Sequence, residues 1–151
     1  MEISGSRVLP VERARVWRSL HDADLIRDSL SGCESLQWIS DDELEGVITL
    51  KFSAIKARMQ IRMTISDAVE QEGYRITGSA NARALGFAKA EATIRLEDVA
   101  DGCELFYGAQ VKIGGKIAQI GSRLMTGMST KIIDEFFDAF VAGMSEDSTR
   151  Q

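Results

Sequence analysis

Residues 103–140, CELFYGAQVKIGGKIAQIGSRLMTGMSTKIIDEFFDAF, contain the change of rhythm that decides the fold. Through Ile113 the apolar or small residues Cys103, Leu105, Tyr107, Ala109, Val111 and Ile113 recur at every second position, as in a strand with one face buried. Past Gly114–Gly115 the interval lengthens to three or four, through Ile117, Ile120, Leu124, Met128, Ile132, Phe136 and Phe140. These positions make one apolar stripe on a helix of roughly 26 residues, about 40 Å long. Its charges oppose its own dipole, with Lys116, Arg123 and Lys131 early and Asp134, Glu135 and Asp138 late. Such a helix must be held by burying its stripe, at ~1.5–3 kcal/mol for each large side chain fully buried. A sheet is the obvious surface.

The rest of the chain supplies that sheet. Ile55, Ala57, Met59, Ile61, Met63 and Ile65 alternate with Lys56, Arg58, Gln60, Arg62, Thr64 and Ser66. Leu44, Gly46, Ile48, Leu50 and Phe52 form a similar series, and Tyr74, Ile76 and Gly78 suggest another. Ala88, Ala90, Ala92, Ile94 and Leu96 point inward on a further strand, which Asp101–Gly102 turns back into the 103–113 stretch. With Ile3–Leu9 and a short strand around Leu36–Ile39, about seven strands are predicted, joined by short turns into an antiparallel meander. Between the first two strands, Pro10 opens a helix over Val11–Leu20, and Asp22 caps a second that ends at Ser31–Gly32. The fold class is therefore α+β: a curved antiparallel sheet around a long C-terminal helix. Residues 1–145 read as one domain and 146–151 as a polar tail.

Composition narrows the function classes. The 151 residues are 44% hydrophobic and 27% charged, typical of a globular domain, and the net charge of −5 argues against wholesale nucleic-acid binding. No run of eighteen apolar residues is present, and Met1-Glu2-Ile3-Ser4 lacks the basic and apolar regions of a signal peptide, so a cytoplasmic home is expected. Cys33 and Cys103 are 70 positions apart with no Cys-x-x-Cys, which favours two reduced, packed thiols over a metal site.

Catalysis requires a positioned acid, base, nucleophile or metal. His21 is the only histidine, at a helix junction where a polar, partly exposed role suffices. A Gly-x-Ser-x-Gly elbow is absent. Gly114-Gly115-Lys116-Ile117 fails as a phosphate loop, because Gln110 stands at the first glycine and Ile117 replaces the Ser or Thr that holds magnesium. Asp41-Asp42-Glu43 and Asp134-Glu135 read as a hairpin tip and a solvated helix face. Neither a cofactor nor a metal site is expected.

Two patterns point to a ligand instead. The inward positions are rich in small residues: Gly46, Ala57, Gly78, Ala88, Ala90, Ala92 and Ala109. Either a cavity lies between this wall and the helix, or Trp17, Trp38, Phe52 and the helix phenylalanines fill the space. Met59, Met63, Met125 and Met128 suit an adaptable pocket or an ordinary core. The outward stripe Lys56, Arg58, Arg62 is either a solvated face or a dock for an acidic partner or anionic lipid.

Several stretches carry a resemblance: Leu9-Pro10-Val11-Glu12 leading to Val16-Trp17; Leu30-Ser31-Gly32-Cys33-Glu34; Phe87-Ala88-Lys89-Ala90; Leu105-Phe106-Tyr107; and Gly114 through Leu124. Across residues 2–144 the chain resembles the carbon monoxide dehydrogenase G-subunit family, within the START and birch-pollen-allergen superfamily (SRPBCC). It has Leu-Ser-Gly-Cys at 30–33 where that family commonly has Leu-Pro-Gly-Cys. The resemblance implies a helix-grip fold and an accessory protein, not an enzyme, that holds a lipid- or quinone-like guest. It also implies association with a molybdenum-containing carbon monoxide dehydrogenase or a relative, and a role in recruiting it to the inner membrane face.

The resulting expectation is an apolar small molecule held between sheet and helix by Met59, Ile61, Met63, Ala90, Ala92, Tyr107, Ala109, Leu124 and Met128, with Tyr107 offering one orienting hydrogen bond. The rivals are an assembly subunit with a filled core and a small cyclase or hydrolase using His21 or Tyr107.

Overall fold

Pro10 ends the first strand, β1 (Glu2–Leu9), and the chain enters two short helices, α1 (Arg13–Leu20) and α2 (Ala23–Ser29). Helix α1 starts two residues later than the sequence pattern suggests, because Glu12 is extended and Val11 N–H bonds back to the Leu9 carbonyl. Asp22 caps α2 as expected, its carboxylate accepting from Leu25 N–H at 3.2 Å. Six strands follow: β2 (Cys33–Trp38), β3 (Glu43–Phe52), β4 (Ile55–Val69), β5 (Gly73–Asn81), β6 (Phe87–Val99) and β7 (Gly102–Gly114). A 3-10 turn at Arg83–Leu85 joins β5 to β6, and another at Lys116–Ile120 precedes α3 (Ser122–Thr149). The structure, a computed structural model, describes residues 1–52 and 54–149.

All seven strands form one antiparallel sheet in the order β1-β7-β6-β5-β4-β3-β2. From β2 to β7 it is the meander the short turns predict, while β1 returns to pair with β7. The sheet curves around α3 in a helix-grip arrangement.

One expectation about the long helix is corrected. The stripe from Ile117 to Phe140 does not lie on a single helix: Gly115 (φ 79°) and Gly121 (φ 100°) adopt left-handed backbone on either side of the 3-10 turn that carries Ile117 and Ile120. Side-chain-bearing residues rarely take those angles, so glycine breaks the helix there although the apolar spacing continues. Helix α3 proper turns Met125, Phe137, Phe140 and Met144 inward, and Leu124 is 46% exposed. It also runs through Thr149, past the expected domain end at 145; residues 150–151 of the tail lie outside the described residues.

The last turn of α3 carries no base of its own. Compensating cations come from other elements: Arg15 of α1 donates to the Met144 carbonyl, and Arg7 of β1 pairs with Asp138. The Arg7 guanidinium also lies 5.8 Å from the centre of the Phe137 ring. Burial still dominates, since Phe140 and Met144 are fully buried and each is worth ~1.5–3 kcal/mol.

Candidate functional site

The register places the inner-face residues in rows that cross the sheet. In one row Met63 faces Gly78, Gly78 faces Ala90, and Ala90 faces Val111. The next row runs Ile65, Ile76, Ala92, Ala109, Ile3. Period-two alternation sends all of these toward α3, with Lys89, Glu91, Thr93, Gln110 and Lys112 on the other face.

The core beneath α3 is divided. One cluster gathers Leu9, Val16, Leu20, Tyr74, Leu96, Cys103, Leu105, Phe137, Phe140 and Met144, with Ile65, Ile76, Ile94 and Tyr107 packed against it. The other gathers Ile48, Ala57, Met59, Ala82, Ile117 and Met125, with Ile61, Ala80, Ile113, Ile120 and Met128 against it. Met63, Gly78, Ala90, Ala92, Ala109 and Val111 belong to neither cluster, and each stays partly exposed. A belt of small residues therefore crosses the middle of the concave face between two packed ends.

The residues named from sequence fall on different parts of this arrangement. Met63, Ala90, Ala92 and Ala109 form the belt. Ile61 and Met128 border it from one cluster and Tyr107 from the other. Met59 is 5% exposed and serves as packed core. Leu124 is brought to the surface, beside Ile120, Gly127 and Met128, and does not face the belt. The aromatic residues expected as alternative fillers lie elsewhere: Trp17 and Trp38 pack around His21, and Phe136, Phe137 and Phe140 pack within or against the first cluster. The side chain of Phe52 lies outside the described residues.

Tyr107 borders the belt with its ring 5.8 Å from that of Phe137. Its hydroxyl lies over Gly5, where a Cβ would come within 2.6 Å of the oxygen. Gly5 thus makes room for the ring, a role that the sequence pattern does not reveal because glycine in a strand usually signals only a bulge or a bend. Arg7, which reaches across to α3, was also missed: its signal is a lone cation at an inward position of β1.

The groups with catalytic potential are otherwise engaged. His21 Nδ1 lies 2.8 Å from the Trp17 carbonyl, which can only accept, so the ring carries its proton there. Its faces meet Trp17, Trp38 and Tyr74 at centroid distances of 4.9, 6.2 and 5.7 Å, and Trp38 Nε1 donates to the His21 carbonyl. Burial pushes the thiols of Cys33 and Cys103 up, which disfavours the nucleophilic thiolate. Among the described residues no group of three metal-ligating side chains is found. The outward stripe is partly neutralised, as Arg58 pairs with Glu34 at 3.0 Å and Arg62 with Glu43 at 3.0 Å. A surface depression near Arg75, Arg95 and Phe106 mixes charges of both signs, a poor match to an apolar guest.

Known structures share this fold. A conserved protein from Geobacillus kaustophilus superposes with a TM-score of 0.90 at 26% identity, over 97% of this chain and 96% of that one. Ara h 8.0201 matches at a TM-score of 0.70 and 12% identity, over 97% and 98% of the two chains. A STAR-related lipid transfer protein from Xanthomonas axonopodis matches at 0.65 and 18%, over 95% and 85%. The last two show a common fold. No curated protein sequence matches the chain. Residues 5–145 match the family of the carbon monoxide dehydrogenase G subunit (CoxG), and with nearly the whole fold inside that match, the chain belongs to this family.

Proposed function

We propose that this protein is a non-catalytic accessory protein that holds an apolar small molecule, lipid- or quinone-like, between the sheet and α3. The observation that carries this reading is the divided core: a belt of alanine and glycine with Met63 and Val111 that belongs to neither cluster. Protein interiors are normally filled to crystal-like density, so a small-residue belt opposite a helix invites a guest. A guest that loses about 300 Å² of apolar surface there gains ~7 kcal/mol before association costs. Met63 can adapt to its outline, and Tyr107 can donate one hydrogen bond to a carbonyl or hydroxyl. The lipid transfer activity named for the Xanthomonas protein is consistent with such a guest on this fold.

The family supports a partner as well. The partner we propose, in keeping with the family's name, is a dehydrogenase of the carbon monoxide dehydrogenase type, and the contact we propose with the membrane is peripheral. Among the described residues no helix is long and apolar enough to cross a membrane.

Thermal melts of the purified, delipidated chain with a long-chain fatty acid, ubiquinone or menaquinone test the guest. At a hundredfold excess over Kd the stabilisation is ~2.7 kcal/mol, a rise of roughly 5–10 °C for a chain of this size. No shift with any of the three, together with a purified chain whose native mass equals that of the polypeptide alone, would refute guest binding.

A further inference from the structure

The two ends of the sheet differ in charge. One end collects the β3–β4 connection, the turn between β5 and β6, the Gly114–Gly121 linker and the start of α3; the other collects the turns at 39–42, 70–72 and 100–101. At the first end, residues 51–56, 82–87 and 112–133 contain Lys51, Lys56, Arg83, Lys112, Lys116, Arg123 and Lys131 and not one carboxylate. At the second, the three turns contain Asp41, Asp42, Glu70, Glu72 and Asp101 and no cation. The α2–β2 connection at the first end adds Glu34, paired with Arg58, and Arg13 reaches the Gln71 carbonyl at the second, so the two ends carry opposite charge biases in a chain of net charge −5.

The basic end also exposes apolar side chains. Leu124 is 46% exposed, Phe87 46% and Met1 37%; Val8, Ile39 and Val69 are exposed near the acidic turns, so it is the pairing of apolar side chains with cations that sets this end apart. Leu124 lies in a shallow apolar depression with Ile120 and Met128, flanked by Arg123 and Lys131. All seven cations are exposed. Of these seven, only Lys131 makes an ion pair among the described residues, a 3.9 Å contact with Glu135, whereas Arg58 and Arg62 on the outer face are paired.

We infer that this end, with Leu124 at its centre, docks on an anionic lipid bilayer. The inference rests on the proposed membrane contact and names its surface. Exposed leucine and phenylalanine enter the headgroup boundary while unpaired cations meet lipid phosphates, and each cation near an anionic leaflet adds to the attraction. The acidic turns are repelled by the same surface, so the molecule stands on the start of α3. An acidic protein docked here would leave the chain unable to bind vesicles, which is the outcome that separates the two occupants.

The test is co-sedimentation of the guest-free chain with phosphatidylcholine vesicles, with or without about 30% phosphatidylglycerol. Binding only to the anionic vesicles, weakening as salt rises from about 0.05 to about 0.5 M, is expected. The double variant Lys116→Glu/Arg123→Glu should weaken binding at least about thirtyfold, and Leu124→Ser about tenfold. A control of equal charge change, Arg18→Glu/Arg75→Glu, should stay within about twofold, since both residues are exposed away from this end. Circular dichroism and the guest-induced thermal shift report that each variant is folded and keeps its guest. Absence of vesicle binding in a folded chain, or equal weakening by the control pair, would overturn this surface while leaving guest binding to stand or fall on its own melts.

Discussion

Replacing Ala92 by leucine probes the belt directly. Ala92 lies between Ile76 and Ala109 on the inner face and belongs to neither core cluster. Leucine adds three carbons. In a filled core that overpacking costs ~1–3 kcal/mol. In an open belt the added carbons are instead partly withdrawn from water, at up to ~0.8 kcal/mol for each one fully buried. With about half burial the guest-free variant should be neutral or more stable by up to ~1 kcal/mol, and should lose guest affinity as the space fills. Ala57 supplies the matched control, since it is 0% exposed within the second cluster, and Ala57→Leu should cost ~1–3 kcal/mol. Urea denaturation of the delipidated chains measures both, as a shift of midpoint at constant slope. Equal destabilisation by the two substitutions would refute the reasoning, because the belt would then be as full as the core beside it.

Other consequences are separable from this one. Burial holds the Tyr74 hydroxyl protonated well above the ordinary tyrosine value of 10.0. Its folded pKa exceeds its unfolded one, so its contribution is complete below about pH 10 and is lost as pH climbs beyond it; Tyr74→Phe should flatten the alkaline limb of a stability–pH curve, and an unchanged limb would contradict this. Phe140, fully buried and stacked 5.4 Å from Phe136, should cost ~3–5 kcal/mol when cut to alanine, whereas the exposed Phe87→Ala should cost far less by the same urea assay. Gly5→Ala drives a Cβ toward the Tyr107 hydroxyl, so a double-mutant cycle with Tyr107→Ala should give a coupling of ~0.5–3 kcal/mol, and strict additivity would show that the ring does not rest on Gly5.

Much of the architecture was legible because strands and helices bury their faces with different periods. The alternation Ile55, Ala57, Met59, Ile61, Met63 specified both the strand and its buried face, and Asp101–Gly102 specified the return between β6 and β7. The helix break was not legible: Ile117, Ile120 and Leu124 keep a helical interval although Gly115 and Gly121 carry positive φ. That break rotates α3 so that Met125 replaces Leu124 on the buried side. The candidate site was legible as composition only. Alanines at alternate positions of β6 name a small-residue wall, but whether aromatic rings cover it depends on tertiary placement, and Trp17, Trp38 and the phenylalanines of α3 were drawn to other clusters. Met59 and Met63 illustrate the limit: two positions along one strand face from Ile61 on either side, one is packed core and the other stands in the belt.

Methyl-resolved NMR of the chain labelled at methionine and alanine, titrated with a quinone or fatty acid, tests the central claim most directly. Guest entry predicts large shifts or new guest contacts at Met63, Ala90, Ala92 and Ala109, with Ala57 and Met59 nearly unmoved in their packed cluster. Shifts confined to Met128 or other methyls around the exposed Leu124, with the belt methyls unmoved at saturation, would contradict it.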